Sequence, residues 1–412
     1  MSHRRTGSSR LRFILRDVIG LRGDPETATA AYEETFEAHL GFGGRAIAFG
    51  TGRSALYAIL RSLDVGRDDE VILSAYTCHS VPRTIRATGA RAVYVDIDPD
   101  NLGPDPAHVV QAVTPQTKAI LVQHSFGWPA RVDLIRETAA RHGLPVIEDC
   151  CQTLGARLHD MPVGSFGVAA FFSSQWNKPY STGQGGMAVV HDGELAERVR
   201  DFRDEHSALP NRMRRKTLAA ELLAFELFMY PSTAAALTSA FRALSRVFGL
   251  HGGDSAMSDE EVRRELEHGE WPTTLQAVLG RLEVERHAQQ SAQRRTTAEA
   301  LRASLKTLGF APLDRAADRE EAPLRLPVRV RDPLAAIAAA RRYGFELTTW
   351  FDVPLDPLAA YRPEPDYAPG ACPRAEQAAR QIVLVPLGRR ITPRVVRRIE
   401  RLFREHPELR IG

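Results

Sequence analysis

The stretch AIAFGTGRSALYAILRSLDVGRDDEVILS (46–74) reads as strand, glycine turn, helix and strand. AIAFG (46–50) and EVILS (70–74) are short, continuous apolar runs, and RSALYAILRSL (53–63) between them has helical spacing. A strand that is apolar on both faces belongs in a sheet covered on both sides, and helices do the covering. The alternation continues outward through RAVYVDID (91–98), KAILVQHS (118–125), LPVIED (144–149), VAAFFSS (168–174) and MAVVHD (187–192). VDLIRETAARHG (132–143) is a helix with Gly143 as its stop signal. To about residue 200, then, the chain predicts an α/β domain built on a mostly parallel sheet flanked by helices.

The 412 residues are too many for one small core, which predicts a large domain and a smaller one. We divide the chain into an N-terminal basic, helical extension (1–34), a large domain (35–290) and a smaller α+β C-terminal domain (291–412). MSHRRTGSSRLRFILR (1–16) lacks the long apolar core and cleavage site of a secretory signal and reads as a basic tail. An insert at 206–270 departs from the α/β pattern. It opens with NRMRRK (211–216) and runs into TLAAELLAFELFMYPSTAAALTSAFRALSRVFGL (217–250), where Pro231 separates two helices. Glu221, Glu226, Arg242 and Arg246 interrupt it, so it lacks the ~20 apolar residues of a membrane crossing. Two readings stand: a helical hairpin packed on the protein or a second subunit, or a peripheral membrane contact through 211–250. TTLQAVLGRLEVERHAQQSAQRRTTAEALRASL (273–305) is a helix long enough to bridge two domains. Strands APLRLPVRV (322–330) and IVLVPL (382–387) follow, and ITPRVVRRIERLFREH (391–406) is a basic helix with a solvated face.

A net charge of +3 gives no reason to propose nucleic acid as a partner. Cys78, Cys150, Cys151 and Cys372 have no metal-like spacing, so no metal is expected, and a reducing cytoplasm suits them.

Four local features share one chemistry. Lys178, in FFSSQWNKPYSTGQGG (171–186), lies just past an apolar strand and before Gly183, Gly185 and Gly186. A confined amine there can form a Schiff base with an aldehyde. Asp149, in VIEDCCQTLGA (146–156), ends another apolar strand, where open α/β sheets bind ligands. A carboxylate there can keep a pyridine nitrogen protonated; it can equally cap a helix. GTGRSAL (50–56) is a glycine turn into a helix, an anion site to which Arg53 and Ser54 add donors, with Ser173 a further phosphate candidate. LSAYTCHSV (73–81) follows a strand and can present a flat or polarizable group to a ring. Aldehyde, pyridine and phosphate together describe pyridoxal 5′-phosphate.

The order GTGRSAL, DEVILSAYT, VDIDPDNLGPDP, TKAILVQHSFG, VIEDCCQTLGA, VGSFGVAAFF, lysine and glycine-rich turn resembles the DegT/DnrJ/EryC1/StrS family. TTLQAVLGRLE (273–283) and CPRAEQAARQIVLVPLG (372–388) extend the likeness over roughly three quarters of the chain. The resemblance implies a fold-type-I pyridoxal-phosphate aminotransferase acting on nucleotide-linked keto sugars, with glutamate as the usual amino donor. Lys178 would hold the cofactor and shuttle protons, and Asp149 would pair with the pyridine nitrogen. Gln152 would contact the ring hydroxyl; Gly52, Arg53, Ser54 and Ser173 would bind phosphate. A homodimer is implied too.

Departures from the family pattern concern the substrate. Cys78 occupies the position of an aromatic ring stacker, which leaves Tyr76 or His79 to shape that face. Gln184 stands where relatives commonly have Glu, and no Asn is evident near WPTTLQ (271–276). Trp350 and Phe351, in TTWFDVPLDP (348–357), fall where relatives contact substrate. His124 and Trp176 read equally as pocket or core residues. Alternative functions are a cyclitol or lipid-linked acceptor, sugar dehydration, or a non-catalytic, membrane-associated scaffold. The family's dehydratase replaces the lysine with histidine, so Lys178 speaks against dehydration, and Lys178 with Asp149 speaks against a scaffold.

Overall fold

The structure is a computed structural model that describes residues 24–228, 258–350, 355–356, 365–388 and 391–411. Seven strands form the main sheet: β1 (Arg45–Phe49), β2 (Glu70–Ser74), β3 (Arg91–Val95), β4 (Thr117–Gln123), β5 (Val146–Asp149), β6 (Ala169–Ser173) and β7 (Gly186–Val190). Their spatial order is β1-β7-β6-β5-β4-β2-β3. The neighbours from β6 to β3 pair in parallel, whereas β7 runs antiparallel to both β6 and β1. No helix lies between β6 and β7, and a parallel return needs such a crossover, so the glycine-rich loop reverses the chain instead.

Helices α1 (Pro25–Leu40), α2 (Gly52–Ser62), α3 (Ser80–Ala87), α4 (Pro106–Ala112), α5 (Val132–His142) and α6 (Gly193–His206) accompany the sheet. The sequence signals set their ends. Gly143 closes α5 in the left-handed conformation, with φ 65°. α1 runs past residue 34 because its acidic residues serve the sheet: Glu37 and Glu33 accept the edge-strand N–H groups of Ala46 (2.7 Å) and Ala48 (2.8 Å). Those donors would otherwise form an open sheet edge.

Of the insert, α7 (Arg212–Phe228) and α8 (Asp259–Glu267) are described. Leu218, Ala219 and Leu222 of α7 are buried against Leu275, Leu279 and Trp176, so its apolar face packs on the protein. Trp176 also meets Phe225 at 4.8 Å between ring centroids, which makes it a packing residue. Asp259 ties α8 to α3 through Arg83 (3.2 Å) and Arg86 (3.0 Å). Pro231 and Gly-Gly-Asp at 252–254 lie outside the described residues, as do the basic tail and Phe351. No helix of the described residues is long and apolar enough to cross a membrane.

The bridging helix is α9 (Thr274–Thr307), begun by a capping box in which Thr273 and Gln276 exchange hydrogen bonds. Beyond it, β8 (Ala311–Pro312), β9 (Arg325–Arg329) and β10 (Ile382–Pro386) form an antiparallel sheet. The sheet is accompanied by α10 (Pro333–Arg342), α11 (Pro373–Gln381) and α12 (Pro393–Glu405). Its core joins Leu326, Val328, Val383 and Val385 to Ile399, Leu402 and Phe403 of α12 and to Leu301 and Leu305 of α9.

Candidate active site

The parallel strands end along one edge of the sheet, near one another in register. Gln123 pairs with Asp149, Asp149 with Phe171, and Ser173 with Gly186. Beyond this edge lies a cavity of about 530 Å³. Gly52, Arg53, Ser54, Cys78, Asp149, Gln152, Ser173 and Lys178 all line it. Residues from four separate segments of the chain thus meet at the place where open α/β sheets bind ligands.

Tyr76 is not part of this lining. It is buried and meets Phe126 edge-on at 6.2 Å, which corrects the expectation that it flanks a cofactor ring. Gln123 holds the segment in this pose: its Nε2 donates to Tyr76 O (2.9 Å) and its Oε1 accepts from Thr77 Oγ1 (2.6 Å). Tyr76 is left in the core, and Cys78 faces the cavity.

At one end of the cavity, α2 begins at Gly52 with no acidic residue in its first turn. Thr51 caps it by accepting the Ser54 N–H at 3.1 Å. A Cβ on Gly52 would stand 3.1 Å from Ser173 Cβ, so glycine keeps the gap between helix and strand open. Ser54, Ser173 and this turn line the cavity together, and the start of a helix with nearby hydroxyls suits an anion. Arg53 pairs with Glu265 on α8, at 2.8 Å.

At the other end, Asp149 is almost wholly buried and accepts the Cys151 N–H at 2.9 Å. Burial pushes its carboxyl above the usual range, against that hydrogen bond and the charge of Lys178. Gln152 Oε1 accepts the Phe126 N–H (2.9 Å), so its amide NH2 is the end that can donate into the cavity. The Lys178 ammonium lies 5.1 Å from the centroid of the Trp350 ring. Its loop is held from beneath by buried Arg294, whose Nη1 donates to Pro179 O at 3.1 Å.

His124 proves to be a core residue. Its Nδ1 accepts the Ala130 N–H (3.0 Å), so Nε2 carries the proton and donates to Glu148 at 3.1 Å. Glu148 also accepts from the N–H groups of Gly164, Phe166 and Gly167. With Cys150 these two make the metal-sized cluster found among the described residues, but hydrogen bonds already occupy both ring nitrogens and both carboxylate oxygens.

The sequence reading missed one whole wall. Arg214 of α7, Glu265 of α8 and the following His268, Gly269 and Glu270 all line the cavity. They come from the insert, whose sequence carries no pattern that points to a site.

Pyridoxal 5′-phosphate suits these donors. The α2 turn with its serines matches a phosphate, Lys178 an aldehyde, and Gln152 a ring hydroxyl. A buried carboxylate that desolvation disfavours, Asp149, matches a cationic pyridine nitrogen. At an effective dielectric of about 20, such a contact pair is worth on the order of 4 kcal/mol before desolvation.

A mostly parallel α/β sheet with this cavity at its carboxyl edge has the fold-type-I architecture that pyridoxal-phosphate transferases share. The model of the DegT/DnrJ/EryC1/StrS aminotransferase family matches residues 22–250 and 245–404. The chain belongs to that family. An L-glutamine:2-deoxy-scyllo-inosose aminotransferase of Streptoalloteichus tenebrarius is 38% identical over 186 residues, 45% of this chain and 44% of its own. A dTDP-3-amino-3,4,6-trideoxy-alpha-D-glucose transaminase of Streptomyces venezuelae is 39% identical over 180 residues, 43% of this chain and 45% of its own. The matched stretch thus spans less than half the length of these relatives. Among solved structures, DesV of S. venezuelae superposes with a TM-score of 0.75 at 26% identity, covering 98% of this chain and 95% of its own. A 3-amino-5-hydroxybenzoic acid synthase, at 21% identity, shares the fold with a TM-score of 0.74 over 97% of this chain and 96% of its own.

Proposed function

We propose that the protein is a pyridoxal-phosphate-dependent aminotransferase that moves an amino group from an amino-acid donor, glutamate foremost, to a keto sugar carried on a nucleotide. The observation that carries this reading is the meeting of Lys178, Asp149 and the α2 turn in one cavity at the sheet edge. When bound, the cofactor supplies an electron sink that lets a proton leave the substrate carbon. Lys178 attaches it and moves that proton from one carbon to another. Asp149 keeps the pyridine nitrogen protonated, Gln152 donates to the ring hydroxyl, and Gly52, Ser54 and Ser173 grip the phosphate. Arg53, which lines the same cavity and pairs with Glu265 through one terminal nitrogen, adds its charge to the phosphate group. Cys78 and Trp350 shape the faces beside Lys178. A large domain (35–290) carries the cofactor and a smaller one (291–412) borders the substrate side.

The inosose relative named above is a specific reason to keep a cyclitol ketone as a second acceptor class. The enzyme works as a homodimer in this proposal, and a monomer mass on sedimentation would remove that part. The deciding test is borohydride reduction of protein incubated with the cofactor, followed by peptide mapping. A pyridoxyl group on Lys178, and bleaching of the yellow protein by glutamate, are expected. A protein that stays colourless overturns the proposal in favour of a scaffold, and an adduct on another amine overturns the role of Lys178.

A further inference from the structure

One cation in the cavity wall has no part in the roles above. Arg214, in the first turn of α7, lines the cavity with its side chain 27% exposed. Its Nε donates to Glu270 Oε2 at 3.3 Å, and its Nη2 donates to Gln184 Oε1. A guanidinium carries five N–H donors. Among the described residues Nη1 makes no hydrogen bond, so both of its donors are left over.

Both partners belong to segments that pack on the turn into α2. The main-chain oxygen of Glu270 accepts the Gly50 N–H at 2.8 Å. Beside it, a Cβ added to Gly269 would stand 4.0 Å from Ser54 Oγ. Gln184 comes two residues before Gly186, where an added Cβ would stand 2.3 Å from Thr51 O and 2.6 Å from Gly52 Cα. Gln184 is itself fixed, because its carbonyl accepts from Gln276 Nε2 at 2.8 Å. The guanidinium is therefore held beside Gly50–Gly52. Its charge is not spent there: Gln184 is neutral, and Glu270, 43% exposed, meets it through one long contact that water screens.

The other donors of this turn, its N–H groups and the hydroxyls of Ser54 and Ser173, are neutral, and Arg53 shares its charge with Glu265. We infer that Arg214 is a second cation for the cofactor's phosphate, supplied by the insert. Nη1 donates to a phosphate oxygen while Nε and Nη2 keep Glu270 and Gln184. The insert thus recognises the phosphate and not the ring. This inference rests on the reading of the cavity as a pyridoxal-phosphate site.

The test compares pyridoxal 5′-phosphate with pyridoxal, which has the same ring and aldehyde but no phosphate, on the full-length protein. Affinities are read from the absorbance change as each compound is titrated. R214Q is expected to bind the phosphorylated compound about 10- to 100-fold more weakly and to bind pyridoxal as the wild type does. A merely structural Arg214 would move both alike. Because R214Q leaves Glu270 unpaired, it is also measured combined with E270Q. The double variant should still prefer the phosphate less than wild type does. A preference restored to the wild-type value would mean that Arg214 only screens Glu270, and it would overturn the inference. So would an unchanged preference in R214Q. If the variants do not fold, phenylglyoxal modification of the wild type decides, read by peptide mapping. Pyridoxal phosphate should protect Arg214 and pyridoxal should not; protection by both, or by neither, overturns the inference. A borohydride-fixed pyridoxyl group on Lys178 would show that the aminotransferase reading survives such a failure. A wild type that binds neither compound would sink that reading and the inference with it.

Discussion

Cys78 shows how much a single position depends on its neighbours. Burial raises its thiol, but the hydrogen bond and charge of His79, with the charge of Lys178, outweigh burial and leave it below the ordinary value. Burial drives Cys150 and Cys151 well above theirs, and Cys372 is pushed up to about 12. The thiolate is the reactive form, so iodoacetamide should label Cys78 first in the cofactor-free protein, and cofactor loading should slow that labelling. Mass spectrometry of the labelled peptides reads the order; preferential labelling of Cys151 would refute it. The same segment marks where sequence reading stops at this scale. Lys178, Asp149 and Ser173 each end or follow an apolar strand, a local signal. Which of Tyr76 and Cys78 faces the cavity depends on Gln123, 46 to 47 residues away. Arg214 meets Gln184 only because α7 packs on Trp176, Leu275 and Leu279.

At the level of elements, strands and helices were readable because burial on both faces leaves long apolar runs and because Gly143, Thr51 and Thr273 mark helix ends. The direction of β7 was not, since an apolar run looks the same either way and only the missing crossover helix decides. Nor was the role of α1, whose carboxylates close the edge of β1. α1 and α9 cross closely at Gly280, where an added Cβ would come within 2.5 Å of the Tyr32 ring. Two effects oppose each other in Gly280→Ala. Alanine favours the helix by about 1 kcal/mol, while overpacking costs about 1–3 kcal/mol. Tyr32 cannot swing aside freely, because it is buried and its hydroxyl meets that of Tyr180 at 2.9 Å. The clash should therefore win, with a net loss of about 1 kcal/mol in urea unfolding. Because Tyr180 is two residues from Lys178, cofactor affinity should fall as well. An unchanged or raised stability would show that the crossing has slack.

For the whole molecule, the fold class followed from alternation alone, whereas the shape of the cavity required the insert to fold back on the sheet edge. The completed cavity puts a cost on the entire chain. Folding takes Asp149 out of water, and burial raises its pKa in the native state. Between the unfolded value, about 3.9, and that raised value, the native protein holds more protons than the unfolded one. This part of stability is therefore complete below the unfolded value, falls as pH rises through the native pKa, and stays low at neutral pH. Asp149→Asn keeps the side chain's shape and can still accept the Cys151 N–H, but it carries no charge. Without cofactor, the variant should be more stable than wild type at pH 7, by on the order of 1 kcal/mol, and the difference should close as pH falls toward 4. With cofactor the ranking should reverse. A ligand at a hundredfold excess over its Kd adds about 2.7 kcal/mol, and the asparagine variant, lacking the charge that holds the pyridine nitrogen, should gain much less. Urea unfolding from pH 4 to 8, with and without cofactor, measures all four cases. A cofactor-free variant less stable than wild type at pH 7, or a gap that ignores pH, would mean that Asp149 bears no desolvation cost and that the cavity is not shaped around a cation at that carboxylate.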